Sequence, residues 1–177
     1  RAKRRKDPTF RVGPALDVIR AECRWLGPGA RVLDLGPRHL REVELLEREG
    51  WQVEALDRFP TSPRIRRGDM HHLPYPRGSF DLVFASHAVE HAYDVAQVVA
   101  EIQRVLRPGG VVWIAVPTGF TPNGHDRIAF SSPQEILAAF GAGRPETVWT
   151  HQRSTEIRLL FRCWNDRVLV ALTHPLH

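Results

Sequence analysis

The chain has little cysteine. Cys23 and Cys163 are its only two. They are too few and too far apart in sequence for a disulfide framework, so a reducing, cytoplasmic setting is the expectation. Long apolar runs are absent as well. No stretch approaches the ~20 consecutive apolar residues that a membrane-spanning helix requires, so no membrane partner is expected. No charged-then-apolar leader opens the sequence. Neither internal repeats nor low-complexity segments occur, which excludes repeat arrays.

What is present reads as an ordinary globular protein. A length of 177 residues suits one domain with a sizeable core. The net charge of +5 is partly concentrated in the first six residues, RAKRRK. Such a cluster attracts phosphates, but no aromatic residues interleave with it as a single-strand stacking surface needs. A nucleic-acid partner therefore stands behind the simpler reading of a basic, flexible segment over residues 1–13. A single domain over 14–177 follows it.

The strongest local signal is the pair RVLDLG at 31–36 and VEALD at 53–57. An apolar strand ends in Asp34-Leu35-Gly36, a helical stretch follows, and a second strand ends in Asp57. In such a βαβ unit the glycine turn approaches a nucleoside cofactor and the later acid receives its ribose hydroxyls. Upstream, Leu16, Ile19, Cys23 and Leu26 keep helical spacing over 14–26, with Pro14 suited to a first turn. Downstream, strands are expected at 51–56, 65–69, 79–86 and 111–116. Helices are expected at 39–49, at 94–106 before the stop Arg107-Pro108-Gly109-Gly110, and from Ser132-Pro133 to about Phe140. The tail alternates in three strand-like segments at 147–152, 157–164 and 167–173, with Asn165-Asp166 as a turn. Continuous apolar strands between helices mean a parallel sheet covered on both faces, with antiparallel pairing near the end. Ligands of such sheets bind beyond the carboxyl ends of the strands.

Taken in order, these motifs resemble the class I S-adenosylmethionine-dependent methyltransferases of the small-molecule type. The resemblance runs from about residue 30 to at least 140. It is carried by VLDLG at 32–36, ALD at 55–57, GDMHHLPYPRGSFDLVFASHAVEH at 68–91 and EIQRVLRPGGVVWIAVP at 101–117. It implies a Rossmann-like, doubly wound α/β fold: a seven-stranded, mostly parallel sheet with one antiparallel strand near the C-terminus. It implies S-adenosylmethionine as cofactor, leaving as S-adenosylhomocysteine. By the same resemblance Gly36 admits the methionine part, and Asp34 orients the turn or the amino group. Asp57 accepts from the ribose hydroxyls, Asp69 from the adenine amine, and Met70 flanks the ring. Ser86 and His87 lie beside the sulfonium. The turn departs from the family's Gly-x-Gly-x-Gly: it reads Gly36-Pro37-Arg38-His39-Leu40, and Arg38 is a candidate either to pair with the cofactor carboxylate or to fill the pocket.

The implied activity is methyl transfer to an unidentified small-molecule acceptor. His87 is the first candidate for base or positioning residue, His91 the second and His125 the third. The alternative, motivated by the altered turn, is a catalytically inactive binding or scaffold protein that holds an anionic partner through the basic start and the loop 58–67. An NAD-linked dehydrogenase is the weakest reading, because G-x-G-x-x-G is missing. The segment His87-Ala88-Val89-Glu90-His91 matches the inverted zinc-peptidase pattern H-x-x-E-H. It directly follows a buried strand and no third ligand is evident, so it reads as a strand-to-helix corner and no metal is expected. His71-His72 read as loop residues and Trp113 as core, while Trp149 and Trp164 read either as core or as the lining of a substrate pocket. Little helical lid precedes the first strand. The acceptor side is thus expected to be open, completed by the second subunit of a homodimer, or built by residues beyond these.

Overall fold

The computed structural model describes residues 9–37, 39–141, 144–153 and 155–164. Among these described residues seven strands form one sheet in the order β3-β2-β1-β4-β5-β7-β6. They are β1 (Arg31–Leu35), β2 (Gln52–Asp57), β3 (Arg66–Arg67), β4 (Phe80–Ser86), β5 (Leu106–Pro117), β6 (Pro145–Arg153) and β7 (Glu156–Cys163). The pairs from β3 through β5 are all parallel. β7 pairs antiparallel with both β5 and β6, so it alone runs against the rest. The doubly wound order and the single reversed strand agree with the expectation. The strand expected at 167–173, its turn at 165–166 and the basic residues 1–8 lie outside the described residues.

Alternation along the strands sorts two cores. Leu33, Leu35, Val83, Ala85, Val112 and Ile114 face α3 (Val95–Val105) and α4 (Pro133–Ala139). Val32, Leu82, Phe84, Val111 and Trp113 face α1 (Thr9–Glu22) and Leu46 of α2 (Leu40–Glu47). Asp34 shares the side of β1 that carries Val32, because strand side chains alternate. It is thereby buried toward α2.

Caps delimit the helices as their sequences suggest. Asp94 caps α3 by accepting the N–H of Gln97, and Ser132 caps α4 by accepting that of Glu135. Two boundaries moved. α1 begins at Thr9 and holds Pro14 inside it, not at its first turn, because the buried stripe starts with Val12 and continues through Ala15, Leu16 and Ile19. Burial of that stripe outweighs the hydrogen bond that proline forfeits. β5 begins at Leu106, not Val111. Phe80 pairs with Leu106 and Leu82 with Val111, so Arg107–Gly110 loop out of the ladder as a bulge, with Gly109 at φ 75°. Trp113 is core and Trp149 stacks on it at 5.7 Å, but Trp164 is 45% exposed. That corrects its core assignment.

Candidate active site

The carboxyl ends of β1, β2 and β4, with the turn after β3, converge on one edge of the sheet. Gly36 leaves β1 at φ 76° and donates its N–H to the Leu56 carbonyl. A Cβ there would stand 2.7 Å from the Ala88 Cβ. Glycine is thus required by the chain that follows β4, before any ligand is considered. Asp34 is completely buried, and neither of its carboxylate oxygens has a hydrogen-bond partner among the described residues. Burial first, then the nearby charges of Glu42 and Asp57, push its carboxyl well above the ordinary range. Glu42 is itself buried on α2, a position that periodicity alone did not mark.

Asp57 ends β2, half-buried, and accepts the Phe59 N–H. Asp69 is held by His71, through both the backbone N–H and ring Nδ1, and by the Tyr93 hydroxyl at 3.4 Å. The other ring nitrogen of His71, Nε2, receives the backbone N–H groups of Tyr93 and Asp94. It is therefore the unprotonated nitrogen, and Nδ1–H donates to Asp69. Burial works against the Asp69 charge, but the His71 bonds outweigh it and hold the carboxyl below its usual value. Met70 packs, partly buried, against the α3-side core. His71, buried and stacked on Tyr93 at 3.5 Å, is thus a support for Asp69. The turn after β1 also gains definition. Leu40 packs against the small cluster of Val43, Ala55 and Ile65, which draws it into the β2–α2 layer. Arg38 lies outside the described residues.

On the other side of β4, Ser86 ends the strand and His87 turns it at φ 56°. A left-handed histidine costs on the order of 1 kcal/mol. Its ring offsets this with two acids. Nε2 lies 2.8 Å from Glu156 and Nδ1 3.5 Å from Glu90. Burial lowers the affinity of His87 for its proton, but the Glu156 and Glu90 contacts outweigh burial and raise it above the ordinary value. Glu156 shows the mirror image: burial opposes its charge, while His87 and Arg158 hold its carboxyl down. Glu156 was not anticipated. It starts β7, and only the reversal of that strand, which pairs Glu156 with Pro117, brings it to this edge. The visible signal was an acid opening the last described strand.

His91 sits in a 3-10 turn, Val89–His91. It does not share an ion with His87, because the segment is too short and too bent to stack positions four apart on a helical face. It meets the loop after β5. His91 Nδ1 lies 3.1 Å from Asp126 Oδ1 and 3.2 Å from the His125 carbonyl, and the two imidazole rings are 4.6 Å apart.

Residues 27–114 match the family model described as a methyltransferase domain. A Mycolicibacterium smegmatis protein named "Probable S-adenosylmethionine-dependent methyltransferase" is 46% identical over 105 residues, 59% of this chain and 39% of the relative. The chain belongs to the class I S-adenosylmethionine-dependent methyltransferases. It spans about two fifths or less of the length of the first curated relatives it matches. Among solved structures, the Burkholderia thailandensis 1,6-didemethyltoxoflavin-N1-methyltransferase, with its substrate and S-adenosylhomocysteine bound, aligns with a TM-score of 0.68 at 20% identity. That alignment covers 90% of this chain and 82% of the other. The [4+2]-cyclase SpnF aligns at 0.70 with 16% identity, covering 86% and 80%. These two likenesses concern the fold, which evidently carries more than one chemistry.

The family's cofactor is S-adenosylmethionine, and the residues present fit it. Two orphaned, buried carboxylate oxygens on Asp34, with Glu42 and Asp57 nearby, form an acidic environment with no cation paired to Asp34 among the described residues. A ligand bearing an ammonium and a sulfonium supplies the missing positive charge.

Proposed function

We propose that this domain transfers a methyl group from S-adenosylmethionine to a small-molecule acceptor. The observation that carries this reading is Asp34, a buried carboxylate without a partner among the described residues, at the turn that Gly36 opens. When bound, the cofactor supplies a methyl carbon already activated by its sulfonium. The chain's share is alignment, exclusion of water and, where the acceptor must lose a proton, a base. Asp34 would hold the amino group, Asp57 the ribose hydroxyls and Asp69 the adenine amine, with Met70 against the ring. Arg38 would take the carboxylate, and Ser86 would stand beside the reacting atoms. His87 is the first candidate for base, with Glu156 and Glu90 fixing its ring. His91 and His125 line the rim beyond it. The Burkholderia neighbour in fold holds 1,6-didemethyltoxoflavin, and this supports an acceptor of small size.

No helix among the described residues is long and apolar enough to cross a membrane. Both cysteines are buried and unpaired, which supports placement in a reducing cytoplasm. A homodimer that completes the acceptor side fits the same open edge.

Calorimetric titration with S-adenosylmethionine and S-adenosylhomocysteine tests the reading. Micromolar binding is expected, and Asp57→Ala should weaken it by roughly 100-fold through loss of two charge-assisted bonds. A folded protein that binds neither ligand would sink it. The non-catalytic scaffold is kept as the second reading because the glycine turn is reduced to Gly36. Binding of both ligands without turnover across an acceptor screen would favour it.

A further inference from the structure

We infer that His91, His125 and Asp126 form a binding site for a divalent transition-metal ion at the rim of the sheet edge. Each of the three offers one ligand atom, and these atoms all lie within 4.8 Å of one another. Tetrahedral coordination at about 2.1 Å from the ion places ligand atoms roughly 3.4 Å apart. His91 Nδ1 and Asp126 Oδ1, at 3.1 Å, already hold such a spacing. The remaining closure is within the reach of a side-chain rotation of His125. A metal ion would sit between His91 Nδ1 and Asp126 Oδ1 in place of their direct contact.

The backbone beneath the three residues is cross-linked. Asn123 accepts the N–H groups of His125 and Asp126 through its side chain, at 2.8 and 3.0 Å. Its own N–H donates to the Asp126 carbonyl at 2.8 Å. Arg127 and Ile128 then donate to the Glu90 carbonyl, at 2.8 and 3.1 Å. The loop is thereby stapled to the 3-10 turn that carries His91, so little ordering is left for the ion to impose. The site is open to solvent, with His91 and Asp126 side chains about one-third exposed, which gives an ion entry and leaves coordination positions for water or for an oxygen or nitrogen donor of a small molecule. Two imidazoles and one carboxylate favour zinc, cobalt(II), nickel(II) or iron(II) over magnesium and calcium, which prefer all-oxygen sets. This site is distinct from the H-x-x-E-H reading. His87 is committed to Glu156, and the ligands besides His91 come from the loop after β5. The inference does not depend on methyl transfer.

Cobalt(II) titration of the untagged chain, followed by visible absorption, tests it. The expected result is ligand-field bands saturating at one equivalent and bleached by zinc. His91→Ala, His125→Ala and Asp126→Ala should each lower affinity by at least about tenfold, while His151→Ala on β6 leaves it unchanged. Circular dichroism checks that each variant is folded. X-ray absorption of the zinc-loaded wild type needs no variant, and should show two imidazoles in a nitrogen and oxygen shell. No bands at stoichiometric cobalt, equal affinity in all three variants, or a shell containing sulfur or other than two imidazoles would each overturn the assignment.

Discussion

The two halves of the ligand-facing edge are built on opposite electrostatic plans. On the β1–β2 side, Asp34 is buried without a hydrogen bond among the described residues and has Glu42 and Asp57 for company. On the β4–β7 side, each acid that faces His87 or His91 is paired: Glu156 with His87 and Arg158, Glu90 with His87, and Asp126 with His91. A buried charge without a partner is costly, whereas a paired one is nearly neutral in its effect on stability. The first half therefore gains by taking up a cationic ligand. The second is mostly compensated: one oxygen of Glu90 is buried without a hydrogen bond among the described residues, but a proton taken up by His87 meets acids that favour it.

The sharpest way to break this contrast is at Gly36. Gly36→Ala places a methyl 2.7 Å from Ala88 in a left-handed backbone, and should cost about 2–4 kcal/mol by combining overpacking with backbone strain. Thermal unfolding reads the loss, and adding Ala88→Gly should recover part of it. If Gly36→Ala unfolds at the wild-type temperature, the crowded turn described above is wrong. Next comes Asp34→Asn, which keeps shape while removing the unpaired charge. It should raise the stability of the ligand-free protein by on the order of 1 kcal/mol and weaken cofactor binding by at least about tenfold. A variant that loses stability would show that Asp34 has a partner after all.

The smallest effect lies across β4. Glu156→Gln removes the leading contact that raises His87, so the His87 titration followed by NMR should move toward lower pH. His87 holds its proton more tightly in the folded than in the unfolded chain. Its contribution to stability is therefore full below its ordinary value of about 6.5 and fades as pH rises through the raised folded value. The cost of Glu156→Gln, about 1 kcal/mol near pH 6, should shrink in alkali. A penalty that grows with pH would reverse the proposed pairing.

Much of this fold was legible from residue order. The continuous apolar runs at Leu82–Ala85 and Val111–Val116, and Val32–Leu35 interrupted only by Asp34, are strands buried on both faces, and composition alone marks such segments. The caps Asp94 and Ser132 declare themselves by local chemistry that a neighbour three residues away completes. The start of α1 was not legible, because Val12 counts as core only once the sheet lies beneath it. The bulge at Arg107–Gly110 was hidden for a similar reason. A Pro-Gly-Gly run reads as a stop, and only the pairing of Phe80 with Leu106 shows that the ladder resumes across it. Among the site residues, Asp34, Gly36, Asp57 and Asp69 stood at strand ends and could be named in advance as candidates, and the pair His125-Asp126 stood in the loop after the fifth strand. Glu156, Glu42 and Tyr93 could not, since each reaches the edge from an element that lies elsewhere in the chain.

The sequence by itself determined the alternation of strands and helices and the turn at which an acid and a glycine meet. These depend on periodicity and on contacts within a few residues, where the chain's own geometry dictates the outcome. Only the tertiary structure decided which acids stay unpaired and which find a histidine. It also decided that Leu40 turns into the β2–α2 layer, and that His91 meets His125 and Asp126 more than thirty positions away. Those outcomes follow from how the layers stack and how β7 reverses, and no local rule encodes the distance between two residues that separate elements carry to the same edge.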